Sequence, residues 1–532
     1  MSRFFAAALA ALLFAAPLSQ AKTLRWSSQG DYLTADPMAQ NELLTNSVNG
    51  QVYESLVMRG KKLELLPGLA ESWKQTSPTT WIFHLRKGVK WQDGADFTAD
   101  DVVFSMKRLV GPTSNFRVYG NQVGGADVKK IDDHTVEFTT PVPNPVMLEM
   151  LANSLFIMSK KWCEEHNAVE TQNFAKQEES YTSRHAMGTG PYILVSREPD
   201  VKSVFKKNPD WWGLKAGKDY WDGDVDEIVY QPIKSGATRI AALLSGDLDF
   251  VLDPDVQDID KLKHDKSVRV YEGRENRVIF FEMDQNRDEL LYSNVKGKNP
   301  FKDIRVRKAF LQAIDIEAIH RAVMRGLSVP TAINLPNPEK AGIPKALDKR
   351  LPYDVAAAKK LMAEAGYPEG FEVQLDCPNN RYINDEKICV AVAGMLARIN
   401  VKVKVNAMPR AQYFPKMQRL EMSFSMLGWG GATTDAIFTM VPVLHSRDEK
   451  GEGDFNWGAY KDPEFDAMVE SAAGDTDPKH RQETINKAME YFRDHVYTIP
   501  LHLQVIPWAS RRNVEVIHRA DNWLQATWVK IR

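Results

Sequence analysis

"AESWKQTSPTTWIFHLRKGVKWQDGADFTADDVVFSMKRL", residues 70 to 109, carries two hydrophobic periods in succession. Trp81, Phe83 and Leu85 alternate with His84 and Arg86, the period of two that buries one face of a strand. After a turn, Val102, Val103, Met106 and Leu109 recur at helical spacing. Thr98 stands three residues before Asp101, a variant of the capping box, so the helix is expected to start there. Strand, turn and capped helix within one stretch make mixed α/β the expected class.

The same alternation continues outward. "TLRW" (23–26), "GTGPYILV" (188–195) and "VKSVFKKN" (201–208) read as strands, and residues 43–57 have helical spacing. "ATRIAALLSGDLDFVL" (237–252) predicts a helix stopped by Gly246 before a short strand. "VIFFEM" (278–283) reads as a strand, and residues 303–326 as one long amphipathic helix capped by Asp303 and ended by Gly326. A helix over 354–366 precedes a strand, loop and helix over 371–396. At 532 residues the chain exceeds the usual domain size, and two large α/β bodies account for most of it.

Composition excludes several classes. With 43% hydrophobic and 26% charged residues the chain is ordinary globular protein, and a net charge of −2 argues against a nucleic-acid partner. Residues 1–21 combine Arg3, the apolar run "FFAAALAALLFAAP" and the small residues "SQA", the pattern of a secretory signal peptide. No cysteine follows the expected cut and no later run approaches a membrane span, so a soluble periplasmic protein without a lipid anchor is expected. The eleven histidines are scattered without HExxH or a helical ligand pair, so no metal site is predicted. There is no GxSxG and no P-loop, and "GTGPY" lacks the helix that a dinucleotide fingerprint opens; neither catalytic residues nor a cofactor are expected. Of three cysteines, Cys377 and Cys389 read as two buried thiols, with a disulfide between them as the alternative, which would clamp the intervening loop at both ends.

Two stretches hold the candidate binding residues. In "FEVQLDCPNNRYINDEKICVAVAGML" (371–396) a strand ends in a loop holding Arg381, just ahead of a helix. A guanidinium beside the positive end of a helix is favourable mainly when an anion shares the site, and its planar fork suits a carboxylate. In "MLGWGGATTDAIF" (426–438) a strand runs into Trp429, Gly430 and Gly431, where missing side chains let another backbone approach. The alternative there is a glycine-rich turn beside a core tryptophan.

Residues 70–109 closely resemble a segment of the family 5 bacterial extracellular solute-binding proteins. "LTADP", "KKNPDWW", "LLSGDLDF", "FKDIRVRKAFLQAID" and "WGAYKDPEFDAMV" resemble it in the same order. The resemblance implies a two-lobed, cluster C binding protein of three domains with the ligand cleft between the lobes. The expected divisions are 22–62, 187–274 and 503–532 for domain I, 63–186 for domain II and 275–502 for domain III. It further implies that Arg381 pairs with a ligand carboxylate. Asn41 falls on a segment that pairs with ligand backbone, and His502 and Gln504 fall at cleft-facing positions. Dipeptide receptors of the family hold the α-amino group with an aspartate where this chain has Ala432; Asp435, three residues on, is a substitute or a helix cap. The expected function is capture of a peptide or peptide-like acid and its delivery to the transmembrane subunits and cytoplasmic ATPases of an ABC permease, by a monomer that closes like a flytrap. The alternatives are a nickel-chelate or haem receptor of the same family, and an exported hydrolase.

Overall fold

The computed structural model describes residues 21–532, so the expected leader lies outside the described residues except for Ala21. Strands Ala70–Ser77 and Thr80–Leu85 pair antiparallel and continue through Thr135–Thr139 to Lys129–Asp132, a four-stranded sheet. Helix Ala99–Leu109 begins as its sequence dictates: the Thr98 N–H donates to Asp101 Oδ2 at 3.0 Å. In its last turn buried Arg108 reaches Asp36 of the "LTADP" segment, Nη1 to Oδ1 at 2.9 Å. That ion pair, together with backbone donors from Met38 and Gln172, holds Asp36 below the usual carboxylate range despite full burial.

A second, eleven-stranded sheet organises the rest. One end consists of Lys402–Met408, Glu372–Pro378 and Phe424–Gly430; the other of Phe250–Val251, Thr23–Ser27, Glu227–Tyr230, Lys202–Lys207 and Tyr192–Glu198. Between them run two long antiparallel strands, Val268–Met283 and Thr498–Arg511, which belong to both halves. Their register shifts between Arg274 and Val278 and again between Ile279 and Phe280, so the two halves of the sheet meet across an irregular segment. This is an α/β protein of two lobes. The lobes are closed on each other: Arg117 Nη2 lies 3.1 Å from Asp454, Gln418 donates to Asn115 at 3.0 Å, and Tyr119 stacks on Phe438. Among the described residues no helix is long and apolar enough to cross a membrane.

Three sequence expectations change. The helix expected over 303–326 is broken: Ile304–Ala313 ends at an extended Ile314, and Asp315 recaps a new turn by accepting from the Ala318 N–H at 2.9 Å. An aspartate inside a helical pattern competes for backbone donors, and here it wins. The helix expected over 43–57 stops at Asn49 with Gly50 as its cap, a position where a Cβ would lie 2.9 Å from Trp523. Residues 188–191 are not strand; Gly188 and Gly190 lie against the Val52 carbonyl, where a Cβ would stand 1.8 and 2.5 Å from its oxygen.

The cysteine reading also changes. Cys377 and Cys389 form a disulfide rather than two thiols, and Cys163 is the buried free cysteine. The bond joins the end of strand Glu372–Pro378 to helix Asp385–Leu396 and closes the loop that holds Arg381. Closing a loop of 12 residues removes unfolded-state entropy worth about 3 kcal/mol. Replacing both cysteines with alanine should therefore lower stability by about that amount in denaturant unfolding, and should weaken ligand binding through the loosened loop.

Candidate functional site

Between the lobes lies a cavity of about 1310 Å³, counted out into open solvent. Its walls come from the segment Gln40–Asn46, the loop at Arg381 and Tyr382, strand residues Leu427–Gly430, and the C-terminal stretch around Trp523. Much of the surface is aromatic: Tyr119, Phe414, Trp429, Phe455, Trp457 and Trp528 all face it. Such walls suit the apolar body of a ligand.

One end of the cavity is charged. Glu42 is the cap of helix Leu43–Asn49; its carboxylate accepts from the Thr45 N–H at 2.9 Å and the Thr45 hydroxyl at 2.8 Å. Arg381 Nε lies 2.7 Å and Arg410 Nη1 3.3 Å from the same Oε1. Burial works against ionising Glu42, yet the two guanidinium groups and the Thr45 donors overcome it and hold the carboxyl down at about 2. The Arg381 contact is electrostatic rather than a hydrogen bond, since its Nε–H has no aligned acceptor. Among the described residues its terminal nitrogens make no hydrogen bond either, and its guanidinium sits 4.8 Å from the centre of the Tyr382 ring.

A second guanidinium stands on the irregular segment of the long strands. Arg277 donates from Nε to Glu275 at 2.9 Å and from Nη1 to the Gly428 carbonyl at 2.8 Å, while its buried Nη2 has no partner among the described residues. Glu275 in turn accepts from Gln504 at 2.5 Å, and Gln504 accepts from the Ile383 N–H at 3.1 Å, next to the Arg381 loop. Three buried guanidinium groups, on Arg277, Arg381 and Arg410, thus face the carboxylates of Glu42 and Glu275, and buried Asp385, which accepts from the Arg381 N–H at 2.9 Å, adds a third carboxylate near Arg381 and Arg410.

Of the residues singled out in the sequence, Arg381, Asn41, Trp429, Gly430, Gly431 and Ala432 line this cavity together. Asp435, His502 and Gln504 are not among its walls. Asp435 caps the Ile437 N–H at 2.9 Å and is gripped by both terminal nitrogens of Arg481, at 2.8 and 2.9 Å. His502 is buried, and burial pushes it down to about 3, so it stays neutral. Gly430 lacks a side chain for an internal reason: a Cβ would stand 2.0 Å from the Asn276 carbonyl oxygen on the neighbouring strand. The Gly431 N–H is likewise taken by Asn276.

The model of the "Bacterial extracellular solute-binding proteins, family 5 Middle" matches residues 64–451, most of the chain. The chain belongs to this family. It is 28% identical over 484 residues to heme-binding protein A of Haemophilus influenzae, covering 86% of this chain and 82% of that protein. It is also 28% identical over 500 residues to the dipeptide-binding protein of Escherichia coli, covering 89% and 88%. The solved structure of a dipeptide-binding protein from Pseudoalteromonas sp. SM9913 in complex with Met-Leu superposes with a TM-score of 0.83 at 23% identity, over 96% of this chain and 100% of that one.

As a family 5 solute-binding protein it binds rather than catalyses, and the alternative of an exported hydrolase falls away. Sequence reading missed Glu42, Arg277 and Arg410. Glu42 carried a visible signal, an acidic residue at the start of the apolar run "LLTNSV", but its guanidinium partners are 339 and 368 residues away. The pairing has a pH signature. Glu42 has an ordinary value of 4.5 and a folded value near 2, so its contribution is complete above about pH 4.5 and is lost as pH falls through 2. That difference corresponds to about 3 kcal/mol, so Glu42→Gln should destabilise the closed protein by at least this at pH 7 and flatten the acid limb of its stability profile.

Proposed function

We propose that this protein is the periplasmic receptor of an ABC importer, a monomer that closes over a peptide-sized solute through a single negative group and an apolar body. The observation that carries the reading is Arg381 in the cavity wall, with terminal nitrogens that make no hydrogen bond among the described residues, in a cavity also lined by Arg277. A carboxylate bound by the free terminal nitrogens of Arg381 would supply the acceptor they lack. Relatives named for a dipeptide and for heme support a cleft of this size and apolar character.

Recognition of an α-amino group is not part of the reading. Ala432 offers no carboxylate, and Asp435 is committed to Arg481. A haem or nickel-chelate cargo is the weaker alternative, because no histidine or cysteine stands among the cavity walls. Closure is assigned to the irregular segment of the long strands, Glu275–Arg277 with His502–Gln504, which is where the divisions at 274/275 and 502/503 would fall. Export by the leader over 1–21 completes the proposal.

Micromolar affinity needs about 8 kcal/mol. One well-made charge-assisted hydrogen bond contributes about 1.5–3 kcal/mol, and burying roughly 200 Å² of apolar ligand surface contributes about 5 kcal/mol. Both are required.

Thermal unfolding against pooled di- and tripeptides, the same peptides with amidated C-termini, and non-peptide carboxylic acids tests this. Acids should raise the melting temperature, by the equivalent of about 2.7 kcal/mol at a hundredfold excess over Kd, and the amides should not. Arg381→Ala should weaken binding of the best acid by about 10- to 100-fold in calorimetry. Equal binding of acid and amide, or unchanged affinity in Arg381→Ala, overturns the reading.

A further inference from the structure

Behind the cavity wall that carries Phe455 and Trp457, a loop leaves at His445 and returns to helix Pro463–Gly474. His445 is 4% exposed. Its Nδ1 lies 2.7 Å from the Ser446 carbonyl oxygen and donates to it, which turns Nε2 toward three carboxylates. Glu470 Oε1 is 3.4 Å away, Glu452 Oε2 3.5 Å and Asp466 Oδ1 3.7 Å. Among the described residues no lysine or arginine forms an ion pair with any of the three. With Nδ1 committed to the Ser446 carbonyl, Nε2 is aimed at a group of carboxylates, of which only Glu470 lies within hydrogen-bond distance, at the long end of the range.

The separations decide between two ways of satisfying that arrangement. A protonated histidine bonded to carboxylates would approach them to about 2.7–2.9 Å, closer than any of the three. Ligands held at about 2.0–2.1 Å around a tetrahedral zinc ion stand about 3.3 Å from each other, close to the distances found. The ligand atoms of His445, Glu452 and Glu470 all lie within 4.8 Å of one another. A backbone carbonyl accepting the second imidazole proton is the usual support of a metal-bound histidine. One imidazole with carboxylates suits zinc better than calcium or magnesium, which prefer oxygen ligands alone.

We propose that His445, Glu452 and Glu470 form a zinc-class divalent cation site, separate from the ligand cavity, that ties the 446–456 loop to helix Pro463–Gly474. The consequence follows from what else that loop does. Its Asp454 pairs with Arg117 at 3.1 Å and its Lys450 carbonyl accepts from Asn121 at 2.6 Å, both across to the opposite lobe, and its Phe455 lines the cavity. A cation at the stem of the loop would hold the latch and one cavity wall in place together.

Calorimetric titration of the tag-free, chelator-treated mature chain with Zn²⁺ tests the site, alongside hydrogen exchange of the amides of residues 446–456. The expected result is one zinc per chain, slower exchange in that loop on zinc addition, and no such effect from Mg²⁺ or Ca²⁺. Glu470→Gln should weaken zinc binding at least tenfold; the Glu470 side chain is 63% exposed, so this variant keeps the fold. His445→Gln should abolish binding. No zinc binding by the parent at micromolar concentration, or binding that both variants retain unchanged, overturns the proposal.

Discussion

The carboxylate of Glu42 is the constraint on which the closed structure turns. It caps a helix in one lobe and receives two guanidinium groups from the other, all of them buried. A buried carboxylate or guanidinium alone would be strongly unfavourable, so the arrangement exists only when both lobes contribute. Opening the cleft would separate Glu42 from both guanidinium groups, and closing it would bring them together again. The charge balance of the site and the closure of the molecule are therefore the same physical event. On the proposed function, a solute carboxylate held by Arg381 would stabilise the closed form relative to the open one, which is what ligand-driven closure requires.

The polar chain from Gln504 through Glu275 to Arg277 places this balance at the junction of the lobes. Gln504 holds the Ile383 amide of the arginine loop on one side and Glu275 on the other; Glu275 holds Arg277, whose Nη1 is anchored on the Gly428 carbonyl. These residues sit where the two long strands lose register. A change in strand angle there would move Arg277 and the Arg381 loop together. The disulfide between Cys377 and Cys389 limits the other freedom of that loop, so Arg381 has little room to leave the site.

The local signals were legible wherever a short segment decides its own conformation. Thr98 and Asp101 start their helix, Asp303 caps another, and Gly246 ends a third in the left-handed region with φ of 91°. Arg381, Asn41 and residues 429–432 were found as a group because motif resemblance carries their position in the fold. The failures have different causes. Gly188 and Gly190 looked compatible with a strand in sequence, and only what packs against them decides otherwise, whereas Asp315 breaks its helix locally by accepting from the Ala318 N–H. His502, Gln504 and Asp435 lie close to the cavity in sequence, but their side chains are consumed by burial, by Glu275 and by Arg481.

The chain by itself determined its class, its capped helices, its alternating strands and the presence of an arginine in a loop between strand and helix, because these depend on neighbours within a few residues. Only the tertiary structure decided which charges meet. Glu42 and Arg410 are separated by 368 positions, and His445 and Glu470 by 25, with no spacing that announces either contact. Electrostatic energy depends on distance and burial rather than on order along the chain, so the partners of a buried charge appear only when the fold has brought them together.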